Sequence, residues 1–186
     1  GMTICPGEQA VFTASATNQG PGALQLQWQA SGNGTDWTDI AEGGNFTGTQ
    51  TTTLTVLNTS TTRQFRLVAS SANCGAIYSE AALLDVEAPI VFSEQPASTT
   101  ACPDEPVSFT ATVNGTGSLQ LQWQSSQDGT NWSDIAEGGI YAGTNSTTLT
   151  IAEAAGLDGM RFRLVAASQI CSNNSGVAVL TLESDD

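Results

Sequence analysis

Histidine and lysine are both absent from this chain, and its four basic residues, all arginines, face eighteen acids for a net charge of −14. Without histidine, the commonest general base near neutral pH and the commonest metal ligand are missing. The charge excludes nucleic acid and anionic membrane surfaces as partners, because both would be repelled. Solubility is its ordinary use. No Gly-x-Ser-x-Gly elbow, phosphate-cradling loop or Ser-x-x-Lys pair occurs, so no catalytic residue is assigned and an enzyme is not expected. No apolar run is long enough to cross a membrane, and none is expected to insert. No secretory leader precedes Met2, and Gly1 reads as the remnant of a removed tag. A mature or excised piece of a longer exported protein is therefore expected.

What is present is a globular composition, 39% hydrophobic with four tryptophans, in a chain of 186 residues that suits two small domains. The chain repeats itself. Leu24-Gln-Leu-Gln-Trp28-Gln29 returns as Leu119-Gln-Leu-Gln-Trp123-Gln124, and Asp39-Ile-Ala-Glu-Gly-Gly44 returns as Asp134-Ile-Ala-Glu-Gly-Gly139. Phe65-Arg-Leu-Val-Ala69 returns as Phe162-Arg-Leu-Val-Ala166, and Cys5-Pro6 and Cys74 as Cys102-Pro103 and Cys171. A period near 95 residues is too long for a solenoid unit and fits a duplicated domain. The boundary is placed at Ala88-Pro-Ile90, giving domains 1–88 and 89–186. A linker this short and proline-bearing predicts an end-to-end pair.

Within each copy the apolar spacing is two. Leu24, Leu26 and Trp28 face one way and the glutamines the other, as in a half-buried strand with a polar outer face. Val11 to Thr17, Thr52 to Leu57, Phe65 to Ala69 and Ala82 to Val86 read likewise, separated by Gly, Asn and Pro clusters. Ala152 to Leu157 has room for one short helical turn. The fold class is all-β, two tandem antiparallel sandwiches. Residues 90 to 96 supply a leading strand to the second copy. The first begins too late for more than a stub, and another element is expected to cover that edge.

The order of these features resembles an immunoglobulin-like domain. Trp28 and Trp123 stand where strand C carries its core tryptophan, and Phe65 and Phe162 belong to the core of strand F. More closely, Cys-Pro-Gly/Asp-Glu, Leu-Gln-Trp-Gln, Trp-x-Asp-Ile, Thr-Thr-Leu-Thr and Phe-Arg-Leu-Val together resemble the immunoglobulin-like repeats of large secreted surface proteins of Bacteroidetes-type bacteria. That resemblance implies an extracellular, cell-surface spacer or adhesion segment, whose expected partners are the neighbouring domains of its parent chain, with a glycan or another surface protein as the other candidates. The alternative is a carbohydrate-binding module serving a secreted carbohydrate-active protein. The positions matching the antibody-type B–F disulfide are Ala14 and Leu67, and Ala111 and Leu164, so that bridge is replaced by apolar packing.

Four cysteines at matching places in an exported chain favour disulfides over metal or catalysis. Parity pairs Cys5 with Cys74 and Cys102 with Cys171, closing loops worth about 3–5 kcal/mol each. In a strict immunoglobulin topology those positions lie at opposite ends of the sandwich, beyond the ~7 Å that a bridge spans. Cys5 with Cys171, across the junction, is then the other pairing.

Three surfaces are candidates for binding. Gln25, Gln27 and Gln29 should lie beside Arg66, and Gln120, Gln122 and Gln124 beside Arg163, as a flat field of amides able to grip a glycan or a neighbouring domain. In the plainer reading this is a solvated face on which Arg66 pairs with Asp39. Asn33-Gly-Thr-Asp-Trp37 and Asp128-Gly-Thr-Asn-Trp132 are hairpin turns, faintly resembling the Asp-box of sialidase propellers, whose tryptophans clamp the sandwich edge or serve as sugar-stacking platforms. Asp39 with Glu42, and Asp134 with Glu137, read as turn structure. No metal ligand set is assigned and no cofactor is implied, Ca²⁺ at this acidic turn being the one cation to consider.

Overall fold

The computed structural model describes residues 1–17, 22–72 and 75–183. It divides into two compact units, Gly1–Ala88 and Pro89–Asp186. The first contains β1 (Met2–Ile4), β2 (Ala10–Thr13), β3 (Gln25–Ser31), β4 (Thr38–Asp39), β5 (Phe46–Thr47), β6 (Thr53–Val56), β7 (Arg63–Ser71), β8 (Gly75–Tyr78) and β9 (Ala82–Val86). One sheet runs β1-β9-β7-β3-β4 with β8 also on β7, and the other runs β2-β6-β5. Every pairing is antiparallel except β1 with β9. This is an immunoglobulin sandwich.

The second unit repeats the plan with β10 (Val91–Glu94), β11 (Thr99–Ala101), β12 (Val107–Thr110), β13 (Thr112–Asn114), β14 (Gln120–Ser126), β15 (Ser133–Asp134), β16 (Tyr141–Ala142), β17 (Thr148–Ile151), β18 (Arg161–Ala167), β19 (Ser172–Asn174) and β20 (Ala178–Leu182). Here β10 pairs with β13 and β11 runs parallel to β20. The first unit has no counterpart of β10 among the described residues, and β1 lies where β11 does. That explains why the strand expected over Val11 to Thr17 stops at Thr13. Its later half is the segment that β10 pairs in the second unit, and an unpaired segment earns no ladder.

The alternation in β3 sends Trp28 and Ala30 into the core, where Trp28 is 2% exposed. Trp28 Nε1 donates to the Thr51 carbonyl at 2.8 Å, and Trp123 Nε1 to that of Ser146 at 2.9 Å, so neither buried indole strands its donor. The sheets meet through aromatic pairs, Phe12 on Phe65 at 5.1 Å and Phe109 on Phe162 at 4.9 Å. Ala111, Leu164 and Leu67 are buried, and Ala14 packs on the same cluster, so apolar side chains occupy the place of the antibody bridge. The short helical turn expected over Ala152 to Leu157 is instead a run of turns. Leu157 N bonds the Ala154 carbonyl and Met160 N the Leu157 carbonyl, while Gly156 and Gly159 take positive φ and stop a helix from propagating.

Each final strand is broken by a bulge that a serine fills. Between β8 and β9 the register on β7 moves by one residue. Leu67 N donates to Ser79 Oγ at 2.9 Å and Ser79 N to the Leu67 carbonyl at 2.9 Å. Ser175 does the same for Leu164. The bulge offsets β8 from β9 along β7, and β8 carries Tyr78, which bears on the site below.

Candidate functional site

The acidic turn after β4 is a closed hydrogen-bond unit. Glu42 Oε2 accepts from Thr49 N at 2.9 Å and Thr49 Oγ1 at 2.8 Å, and Oε1 accepts from Gly48 N at 3.1 Å. Glu137 repeats this with Thr144 and Gly143. Donors on the ionised form hold both carboxyls below the usual range, the backbone bond from Thr49 or Thr144 contributing most. Asp39 and Asp134, the other acid of each pair, stand on β4 and β15 and accept from Gln29 and Gln124 instead.

The hairpin between β3 and β4 is built on an Asx turn. Asn33 Oδ1 accepts from Thr35 N at 2.9 Å and Asp36 N at 2.8 Å, and Asp128 Oδ1 accepts from Thr130 N and Asn131 N. Asn33 Nδ2 donates to Asp36 Oδ2 at 2.6 Å, while in the second copy Asn131 Nδ2 donates to Asp128 Oδ2 at 2.6 Å. The amide and the acid have exchanged places and the bond survives. These contacts, Asn131 first among them, hold the Asp128 carboxyl well below the usual range.

Trp37 and Trp132 follow these turns and are half-buried. Their Nε1 atoms donate to Gly34 and Gly129 carbonyls at 3.2 Å. One face of each ring lies under a guanidinium, Arg66 at 4.2 Å from Trp37 and Arg163 at 4.2 Å from Trp132. The two indoles therefore serve their own arginines, and the stacking face expected of them is at least half taken.

Outside the sheet, Arg66 Nε donates to Gln29 Oε1 at 2.9 Å and Gln29 Nε2 to Asp39 Oδ1 at 2.8 Å. Gln29 thus stands between the arginine and the acid expected to pair directly. Arg163, Gln124 and Asp134 form the same relay. Gln27 Nε2 donates to the Trp28 and Ile40 carbonyls, and Gln122 to those of Trp123 and Ile135. Of the glutamines on β3 only Gln25 is exposed, Gln27 and Gln29 being half-buried. Beside it opens a cleft of about 710 Å³ lined by Leu24, Gln25, Gln27, Gln50, Val68 and Ser70, among others. The second unit has the matching cleft at about 520 Å³, over Leu119, Gln120, Gln122, Asn145, Val165 and Ala167.

The structure gathers the amides and Arg66 on one face. It adds Gln50, Ser70 and Tyr78, which periodicity alone does not single out. Tyr78 is 56% exposed, and its ring centroid lies 4.3 Å from the Arg66 guanidinium. The signal for it was a mismatch between the copies, since Asn174 holds the equivalent register opposite Val165.

Among the cysteines, Cys5 and Cys171 are both disulfide-bonded. Cys102 is half-buried after β11. Cys74, and with it the expected Cys5–Cys74 pairing, lies outside the described residues.

The model of one family, "Domain of unknown function (DUF8696)", matches twice, over residues 1–88 and 93–184. The chain is a tandem pair of DUF8696 domains. The pair is similar in fold to the titin I-band fragment I67-I69, with 21% identity and a TM-score of 0.60 over 97% of this chain and 62% of that one. It is similar also to the insect immune protein hemolin, with 13% identity and a TM-score of 0.56 over 98% of this chain and 44% of that one. These likenesses show the immunoglobulin fold of the DUF8696 pair. Endoglucanase C of Cellulomonas fimi is 34% identical over 96 residues, which is 52% of this chain and 8% of the enzyme. The DUF8696 pair thus spans a small fraction of that enzyme and less than two thirds of the titin fragment. Among the described residues no helix is long and apolar enough to cross a membrane.

Proposed function

We propose that this DUF8696 pair is a non-catalytic extracellular module, a structural spacer and adhesion segment within a larger bacterial surface protein of the Bacteroidetes type. One observation supports this above all. The polar patterns repeated between the units end in contacts inside their own unit: the Glu42 and Glu137 turns, the Asx hairpins and the Arg–Gln–Asp relays. Repetition of that kind preserves a fold. Disulfide-bonded Cys5 and Cys171 fit an oxidising compartment, and strong negative charge suits a solvated spacer. Its nearest partners are then the neighbouring domains of the parent chain. The test is replacement in the parent protein by two unrelated immunoglobulin sandwiches of equal length. The swap should leave the adjacent domains displayed to antibody on intact cells, whereas deletion should shorten their reach. Equal loss in both would sink the reading.

A second reading, a carbohydrate-binding module appended to a secreted carbohydrate-active protein, is favoured by the local likeness to endoglucanase C. It requires that the purified pair bind a polysaccharide while releasing no reducing ends from it.

A further inference from the structure

The geometry points to the outer face of the first unit, centred on Tyr78 and the cleft beside it, as a binding site for a neutral polysaccharide, with the matching face of the second unit having lost that capacity. This rests on the second reading above. It deepens that reading by naming one repeat and one ring.

Three cross-strand rows order the face. Gln25 on β3 stands opposite Ser70 on β7, Gln27 opposite Val68, and Gln29 opposite Arg66. Val68 in turn stands opposite Tyr78 on β8, so an aromatic ring, an aliphatic patch and an amide share one line across three strands. Arg66 lies between Trp37 and Tyr78, 4.2 Å and 4.3 Å from their ring centroids. The guanidinium thus fixes the tilt of Tyr78 while more than half of that side chain stays open to solvent. An anchored but open ring suits the C–H face of a pyranose. Gln25 and Gln50, both exposed on the cleft wall, offer donors and acceptors to vicinal hydroxyls, and Ser70 adds a hydroxyl.

Charge selects the ligand class. The cation at this face is engaged by two rings and by Gln29, and the carboxylate of Asp39 by the same glutamine. The Asp39 carboxylate still lines the cleft, and together with the chain's net charge of −14 it would repel an acidic glycan. A peptide strand is disfavoured because, on the side away from β7, β4 pairs β3 at Gln29 and Ala30 and Trp28 N donates to the Thr49 carbonyl, leaving only the short stretch from Gln25 to Gln27 to add to.

The second unit keeps Gln120, Gln122 and Val165 but departs at three points. Asn174 replaces Tyr78 and Ala167 replaces Ser70 in register. Asn145 replaces Gln50, and its shorter amide donates to Gln122 Oε1 at 2.9 Å and the Leu121 carbonyl at 3.0 Å, where Gln50 reaches Gln27 only at 3.5 Å. The cleft is correspondingly smaller, about 520 against 710 Å³.

Affinity electrophoresis of the whole chain through native gels containing barley β-glucan, galactomannan or hydroxyethylcellulose tests this, with polygalacturonate as the anionic control. The wild type should be retarded by at least one neutral polymer and not by polygalacturonate. Tyr78→Ala should weaken binding about tenfold or more, as loss of a central aromatic anchor does, with Tyr78→Phe close to wild type. Gln25→Ala should weaken binding less, and Asn174→Tyr with Ala167→Ser should add a second site by calorimetric stoichiometry. Retardation by none of the four polymers overturns this site and the binding-module reading together. Undiminished binding in both Tyr78→Ala and Gln25→Ala overturns this site alone, as does binding to polygalacturonate only.

Discussion

Glu42 and Glu137 look, as letters, like half of a catalytic pair. In three dimensions each is the acceptor that closes its own turn. Because donors favour the ionised form, the folded-state pKa lies below the unbound value of 4.5. The associated stability is therefore complete above about pH 4.5 and is lost as the pH falls through the lower folded value. Glu137→Gln should depress the melting temperature of its unit at pH 7, and the gap to wild type should narrow as the pH falls below 4.5. Thermal scans from pH 7 to pH 3 would show it, and a gap independent of pH would contradict the assignment. The exchanged Asn33–Asp36 and Asp128–Asn131 pairs make a second test. Asp128→Asn alone sets two amides face to face and removes the charge that four donors hold. Asp128→Asn with Asn131→Asp rebuilds the arrangement of the first copy. The single variant should melt lower and the double should recover most of the loss, a coupling that a double-mutant cycle measures.

Among the elements, the strand cores were legible because a period of two needs only the local sequence, as Leu24-Gln-Leu-Gln-Trp28-Gln29 shows. The length of β2 and the bulge at Ser79 were not, because each depends on a partner strand far away in the chain. The inter-sheet rings carry the stability of each sandwich. Phe162, fully buried and stacked on Phe109, should cost about 3–5 kcal/mol when cut to alanine. Denaturant melts read by tryptophan fluorescence would register this as an earlier transition of the second unit. The turn entering β17 depends on Gly143, whose φ is +76° and whose missing Cβ would collide with the Thr148 carbonyl oxygen. Gly143→Ala should therefore destabilise the unit by more than the ~1 kcal/mol of an ordinary loop change, and Gly48→Ala should act alike on the first.

At the scale of the whole molecule the duplication leaves two immunoglobulin sandwiches held by cores, turns and disulfides. Alkylation of the native chain should leave Cys5 and Cys171 unlabelled until a reductant is added, and reduction should lower the melting temperature, as removing a bridge usually costs ~2–5 kcal/mol. Labelling of either residue before reduction would contradict the oxidised state. Most of the fold was contained in the sequence by itself: duplication, strand periodicity, core tryptophans and turn chemistry are local patterns that repeat at a fixed offset. The candidate site was only half legible. The glutamines and Arg66 could be placed on one face from alternation alone. Which of their polar atoms are already spent, and that Tyr78 joins them, followed from pairing β3, β7 and β8 across gaps of many residues. Exposure and hydrogen-bond satisfaction belong to the packed chain, and only the tertiary structure decides them.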